Sequence, residues 1–158
     1  MVYRVTFVCT GNICRSPVAE HILRRHLADE GLAVEVDSSG TGGWHLGNGA
    51  DRRSVAALGR RGYTSTHRAQ RFEASWFDRY DLIIALDRGH LRELRSMAAS
   101  DRERDKVRLL REFDPEADGP DVPDPYYGGE ADFELVLDQV EAAVPGLVAK
   151  IRQDLKET

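Results

Sequence analysis

The sequence predicts an α/β fold: one domain over residues 1–158, three layers deep (α/β/α), with helices on both faces of a central four-stranded parallel sheet. Three observations predict it. Short apolar runs rich in β-formers alternate with stretches of helical period, which is the order a parallel sheet with crossover helices needs. The first of these runs passes directly through a short polar loop into a helix. The length suits one hydrophobic core and requires no second domain.

Residues 3–9 make the first strand, and Val5-Thr6-Phe7-Val8 suits burial on both faces. A helix runs from Pro17, in the first turn where proline is accepted, to about Gly31. Ala19, Ile22, Leu23 and Leu27 face the core, while Arg24, Arg25, Asp29 and Glu30 face water. Residues 34–38 alternate Val34 and Val36 with Glu35 and Asp37, as an exposed sheet edge does. The Gly-rich stretch 40–49 is a loop with a conspicuous Trp44 and His45. Asp51 to Arg61 is a helix with Val55, Ala56 and Leu58 inward, stopped by Gly62. Residues 67–75 read as helix-like. Asp81 to Asp87 is the cleanest buried strand, followed by a helix over 88–98 and a short strand at 107–110. Prolines, aspartates and glycines crowd residues 112–129 into a long loop. Phe133, Val136, Leu137, Val140 and Val144 begin the last helical stretch, where Pro145 either starts a second helix or kinks the first.

The loop after the first strand carries the chemistry. Cys9, Thr10, Gly11, Asn12, Ile13, Cys14, Arg15 and Ser16 put a thiol, a row of backbone amides and a guanidinium around one small volume. A helix N-terminus leaves amides unpaired and carries partial positive charge, so the volume suits a tetrahedral dianion. Gly11 and Asn12 tolerate positive φ and let the loop turn its amides inward. Arg15 offers two oxygens a planar fork. The same field favours a thiolate at Cys9, which makes it a nucleophile. Ser16 caps the helix, and its hydroxyl donates to the Cys9 sulfur. No second cysteine pair exists to complete a zinc site, and no Gly-x-x-x-x-Gly-Lys-Ser/Thr run marks a nucleotide loop.

Residues Cys9 to Ser16 resemble the Cys-x5-Arg-Ser/Thr signature of the low-molecular-weight protein tyrosine phosphatases. Ser39-Gly40-Thr41, His67-Arg68-Ala69 and Asp124-Pro125-Tyr126-Tyr127 agree, so the likeness covers essentially the whole chain, with the look of the actinobacterial members. It implies hydrolysis of phosphotyrosine in proteins through a phosphocysteine at Cys9. A general acid is needed to protonate the leaving phenol. Composition alone does not choose among Asp114, Asp118, Asp121 and Asp124; the Asp-Pro-Tyr-Tyr setting, by resemblance, selects Asp124. Resemblance also makes His67 the support of the Asn12 side chain. Asp87, at the carboxyl end of a core strand, ties down neighbouring backbone.

Trp44, Tyr126 and Tyr127 are the candidate pocket walls, since a deep slot with apolar sides delivers an aryl phosphate to Cys9. Relatives acting on phosphoarginine resemble this chain less at Ile13, where they carry a smaller hydroxyl residue. A branched side chain there leaves room for a flat ring and crowds a guanidinium head. Protein arginine phosphatase is therefore the alternative substrate reading. Arsenate reductase, of similar fold, relays electrons through further cysteines, and this chain has only Cys9 and Cys14. A phosphopeptide-binding module would have little need for Cys9 together with Asp124. Cys14 either packs under the loop or is a redox partner that traps oxidised Cys9 as a disulfide, the role the resemblance favours.

Net charge is −5, which gives nucleic-acid binding nothing to act through. No apolar run reaches membrane-spanning length. The expected partners are tyrosine-phosphorylated proteins, with no nucleic acid and no membrane. No cofactor and no metal are expected, and the chain is a monomer or weak dimer. A working thiolate requires a reducing compartment, so the expected location is the cytoplasm, with export by a route lacking a cleaved signal kept open.

Overall fold

The computed structural model describes residues 2–157. Four parallel strands, β1 (Tyr3–Cys9), β2 (Val34–Gly40), β3 (Leu82–Ala85) and β4 (Val107–Leu109), form one sheet in the order β2-β1-β3-β4. The chain steps from β1 to β2 on one side and then returns to β3 on the other. The carboxyl ends of β1 and β3 therefore diverge at a topological switch point, where such sheets leave a crevice.

Side-chain alternation builds the three layers. Tyr3, Val5, Phe7, Leu82 and Ile84 pack against helices α1 (Arg15–Asp29), α2 (Arg52–Arg60) and α5 (Glu130–Lys156). Val8, Ile83, Ala85 and Val107 face the other way, toward Phe72, Phe77, Tyr80 and Leu94 of α3 (Arg88–Met97). A short α4 (Asp101–Asp105) leads into β4. Among the described residues, no helix is long and apolar enough to cross a membrane.

Several elements differ from the sequence reading. Helix α1 starts at Arg15, two residues before Pro17, and the turn after it uses Gly31 at φ +67°. In α2 the buried side chains are Ser54, Ala57 and Leu58, whereas Val55 and Ala56, both expected inward, are exposed. The Asp51 amide, at the cap of this helix, is fastened to the Ile13 carbonyl at 2.8 Å. Residues 67–73 are extended rather than helix-like: Gly40 N–H donates to Gln70 O and Phe72 N–H to Gly40 O, both at 2.8 Å. A 3₁₀ turn follows at Ala74–Arg79. Pro145 starts no second helix, because α5 runs through it unbroken. Its neighbour Gly146 lies so close to the Phe113 carbonyl that a Cβ would fall 2.0 Å from that oxygen.

Candidate active site

Strand β1 ends at Cys9 and α1 begins at Arg15, so the intervening loop lies at the switch point. The carbonyls of this loop are held from outside. Thr41 N–H donates to Cys9 O, Gly42 N–H to Thr10 O, Asp51 N–H to Ile13 O, and His67 Nε2–H to Asn12 O, at 2.6–3.0 Å. In a planar trans peptide the next residue's N–H points opposite to the carbonyl. The amides of Thr10, Gly11, Ile13 and Cys14 are thus turned the other way, toward the cavity that these residues line. Gly40 permits the approach: a Cβ there would sit 2.6 Å from Thr10 O.

Asn12 holds the turn at φ 57°, a left-handed conformation as expected, and is fully buried. Gly11 does not share it; its glycine answers a spatial need, since a Cβ would meet the His45 ring at 3.0 Å. The Asn12 side chain donates to Ser16 Oγ at 2.8 Å and Ser38 Oγ at 2.9 Å, and accepts from Gln70 N–H at 2.9 Å. His67 therefore supports the Asn12 main chain, not its side chain, because Ser38 and Gln70 already occupy the amide.

Ser16 is no helix cap. It lies inside α1, Cys14 stands at the cap position, and no side chain caps this end. Ser16 Oγ is instead 2.9 Å from Cys9 Sγ. Since Asn12 donates to Ser16 Oγ, the hydroxyl proton is left for the sulfur, with Ser39 O the more distant acceptor at 3.4 Å.

The Arg15 guanidinium is buried. Its Nη1 donates to Asp87 Oδ2 at 2.8 Å and to Val122 O at 2.9 Å, which leaves Nη2 facing Asp124 Oδ2 at 3.8 Å. Asp87 caps α3 by accepting from His90 N–H at 2.9 Å. Burial opposes its charge, yet the His90 amide and the nearby His90 and Arg15 keep its carboxyl below the usual range.

The remaining loop aspartates are engaged elsewhere: Asp121 pairs with Arg88, Asp118 with Arg111, and Asp114 accepts from Glu116 N–H. Asp124 alone of the four lines the cavity of about 250 Å³, along with Cys9, Ile13 and Arg15. Trp44, His45, Tyr126 and Tyr127 line it as well. Tyr126 and Tyr127 meet edge to face at 5.0 Å, and Tyr127 is 96% exposed.

Several participants carry no local signal in the sequence. Glu20, buried under the loop, accepts from Ser38 Oγ and Arg24 Nη2 at 2.5 Å and lies 3.5 Å from His67 Nδ1. Burial works against its charge, but hydrogen bonds from His67 and Ser38 and the Arg24 charge bring its pKa down to about 2. His90 is buried with Nε2 2.9 Å from Thr10 Oγ1, and burial lowers its pKa to about 4. His21 locks to Pro17 O and accepts from Thr66 N–H. Cys14 is reduced and buried, and burial, with Asp51, Cys9 and Asp124 adding to it, pushes its thiol up to about 12.

A family model described as low molecular weight phosphotyrosine protein phosphatase matches residues 4–157. A Streptomyces coelicolor protein named low molecular weight protein-tyrosine-phosphatase is 56% identical over 160 residues, covering 99% of this chain and 98% of the relative. Among solved structures, a protein tyrosine phosphatase from Entamoeba histolytica with Hepes in its active site superposes with TM-score 0.92 at 33% identity, covering 96% of this chain and 98% of the other. The arginine phosphatase YwlE of Bacillus subtilis, as a cysteine-to-serine mutant with a phosphorylated active-site serine, gives TM-score 0.86 at 30% identity, covering 96% and 97%.

Proposed function

The chain belongs to the low molecular weight phosphotyrosine protein phosphatase family and is an enzyme of that class; we propose that it acts through Cys9 as nucleophile and Asp124 as general acid. One observation carries this reading: Cys9, Arg15 and Asp124 line a single cavity, with loop amides turned into it and aromatic rings at its mouth.

The Cys9 thiolate, stabilised by the Ser16 hydroxyl, attacks phosphorus. An S–P bond forms and the P–O bond to the phenol breaks, while the Asp124 proton passes to the leaving oxygen. Arg15 and the amides of Thr10, Gly11, Ile13 and Cys14 hold the equatorial oxygens as charge spreads over them. Water then forms the new P–O bond and the S–P bond breaks. Asp124 takes the water's proton, returning thiolate and phosphate.

Phosphotyrosine in proteins is the substrate class. The likeness to an arginine phosphatase supports phosphoarginine as the second reading, but the Ile13 side chain on the cavity wall favours a flat ring. Purified enzyme assayed on phosphotyrosine, phosphoserine and phosphoarginine peptides tests the choice, with Cys9→Ser as the blank. Cys9→Ser is expected to bind phosphotyrosine peptide without turning it over; turnover by that variant would remove the nucleophile assignment. Preference for phosphoarginine would instead reverse the substrate reading. Cys14 is read as a redox partner: after peroxide, dithiothreitol should restore wild type far better than Cys14→Ser, and equal recovery would leave Cys14 a packing residue.

A further inference from the structure

Asp124 must meet the leaving oxygen while half exposed on a loop; its side chain is 53% exposed. The hydrogen bonds inside its turn are local, from Tyr126 N–H to Asp124 Oδ1 and from Gly128 N–H to Pro125 O. Neither connects the turn to the cradle that holds phosphate. Ahead of Asp124, Arg15 makes that connection through Val122 O; behind it, a second feature does. Asp51, the cap of α2, is fastened through its amide to the loop carbonyl of Ile13. Its carboxylate accepts from the Arg53 guanidinium twice, from Nε at 3.1 Å and Nη2 at 3.0 Å, which fixes the guanidinium plane. The free Nη1 reaches Gly128 O at 3.5 Å, and the plane lies over Phe133 at 4.5 Å and Tyr126 at 5.5 Å.

We propose that Arg53 is a positioning residue for the general acid, tying the backbone that follows Asp124 to the segment that anchors the phosphate cradle. The inference rests on the reading of Asp124 as the acid. Geometry is the reason the residue is arginine: one flat group engages a carboxylate, a carbonyl and two rings at once, which the point charge of lysine does not. Loosening this tie leaves Cys9 and Arg15 intact and misplaces only the proton, and a misplacement near 1 Å costs up to about a hundredfold.

The test compares kcat/KM on phenyl phosphate, whose leaving group needs a proton, with 4-nitrophenyl phosphate, whose leaving group needs it far less. Arg53→Ala is expected to lose roughly ten- to a hundredfold on the first and much less on the second. Arg53→Lys should show the same selectivity, and it serves as the working variant if Arg53→Ala melts much below wild type. In an Asp124→Asn background, Arg53→Ala should cost nothing further on phenyl phosphate. Equal losses on both substrates, or losses that multiply with Asp124→Asn, would overturn the proposal while leaving Asp124 as the acid. If Asp124→Asn alone shows no leaving-group selectivity, the acid assignment falls, and the role given to Arg53 falls with it.

Discussion

The two loops that meet over the cavity are built in opposite ways. From Cys9 to Ser16 all but Thr10 and Gly11 are buried, and four carbonyls, the Asn12 amide and the Arg15 guanidinium all have partners in other segments. From Asp124 to Gly129 only Pro125 is buried, and polar contacts are few. The difference follows from what each delivers. Charge spreading over phosphoryl oxygens is met best by dipoles that need no reorganisation, which favours a frozen cradle. A proton donor must admit an aryl group and later a water molecule, which favours a loop at the solvent boundary.

The contrast can be broken most severely at Arg15. Arg15→Lys keeps the charge and loses the fork, and kcat/KM should fall about a hundredfold or more, as for removal of one oxyanion donor. Steady-state kinetics within twofold of wild type would mean that charge alone suffices and that the cradle's geometry is incidental.

Asn12 separates conformation from hydrogen bonding within the cradle. Asn12→Gly keeps the positive φ and abandons Ser16, Ser38 and Gln70; Asn12→Ala also strains the backbone. Denaturant melts should show both destabilised, alanine more so by about 1 kcal/mol. Equal stability would show that the cradle relaxes, contrary to its frozen character.

His90 extends the comparison to pH. Its folded pKa of about 4 lies below the ordinary value of 6.5, so between these values the unfolded chain binds the extra proton. Stability therefore drops as pH falls from 6.5 to 4, with about 3 kcal/mol at stake from this group. Unfolding free energies from urea melts across that range should fall more steeply with falling pH for wild type than for His90→Gln, and parallel pH slopes would remove the buried neutral histidine from the account.

Tyr127 is the smallest case. At 96% exposure, Tyr127→Ala should alter stability by no more than about 0.5 kcal/mol and change kcat/KM on phenyl phosphate less than about twofold. Any larger role should emerge only with phosphopeptides. A large loss on the small substrate would mean that the outer wall belongs to the rigid half.

The same division governs what could be read from the sequence. Three strands are legible as apolar runs and β2 as an alternating edge, and the cradle is legible because its residues are contiguous and each type has a reason in its place. Short elements are not: α4 and the 3₁₀ turn at Ala74–Arg79 are too brief to display a period. Spacing alone reads Val55 and Ala56 as inward, but tertiary packing against α1 and α5 sets the rotation of α2. Glu20, Ser38 and Gln70 escaped notice for a related reason: Ser38 and Gln70 reach Asn12 from 26 and 58 positions away, and Glu20 meets Ser38 across 18. Nothing local to those residues announces the partner. His90 and Arg53 look like ordinary helix residues until the fold brings Thr10 and Gly128 to them.

The outward carbonyls of the cradle have one further consequence. Amide protons turned into a cavity, and away from every helix and sheet ladder, exchange with deuterated solvent whenever water reaches them. An oxyanion seated among them would halt that exchange at Thr10, Gly11, Ile13 and Cys14, while neighbouring strand and helix amides, already protected, would scarcely change. The loop thus carries its own isotopic footprint of occupancy, readable for any phosphate-like ligand without turnover and even in an enzyme whose cysteine has been replaced.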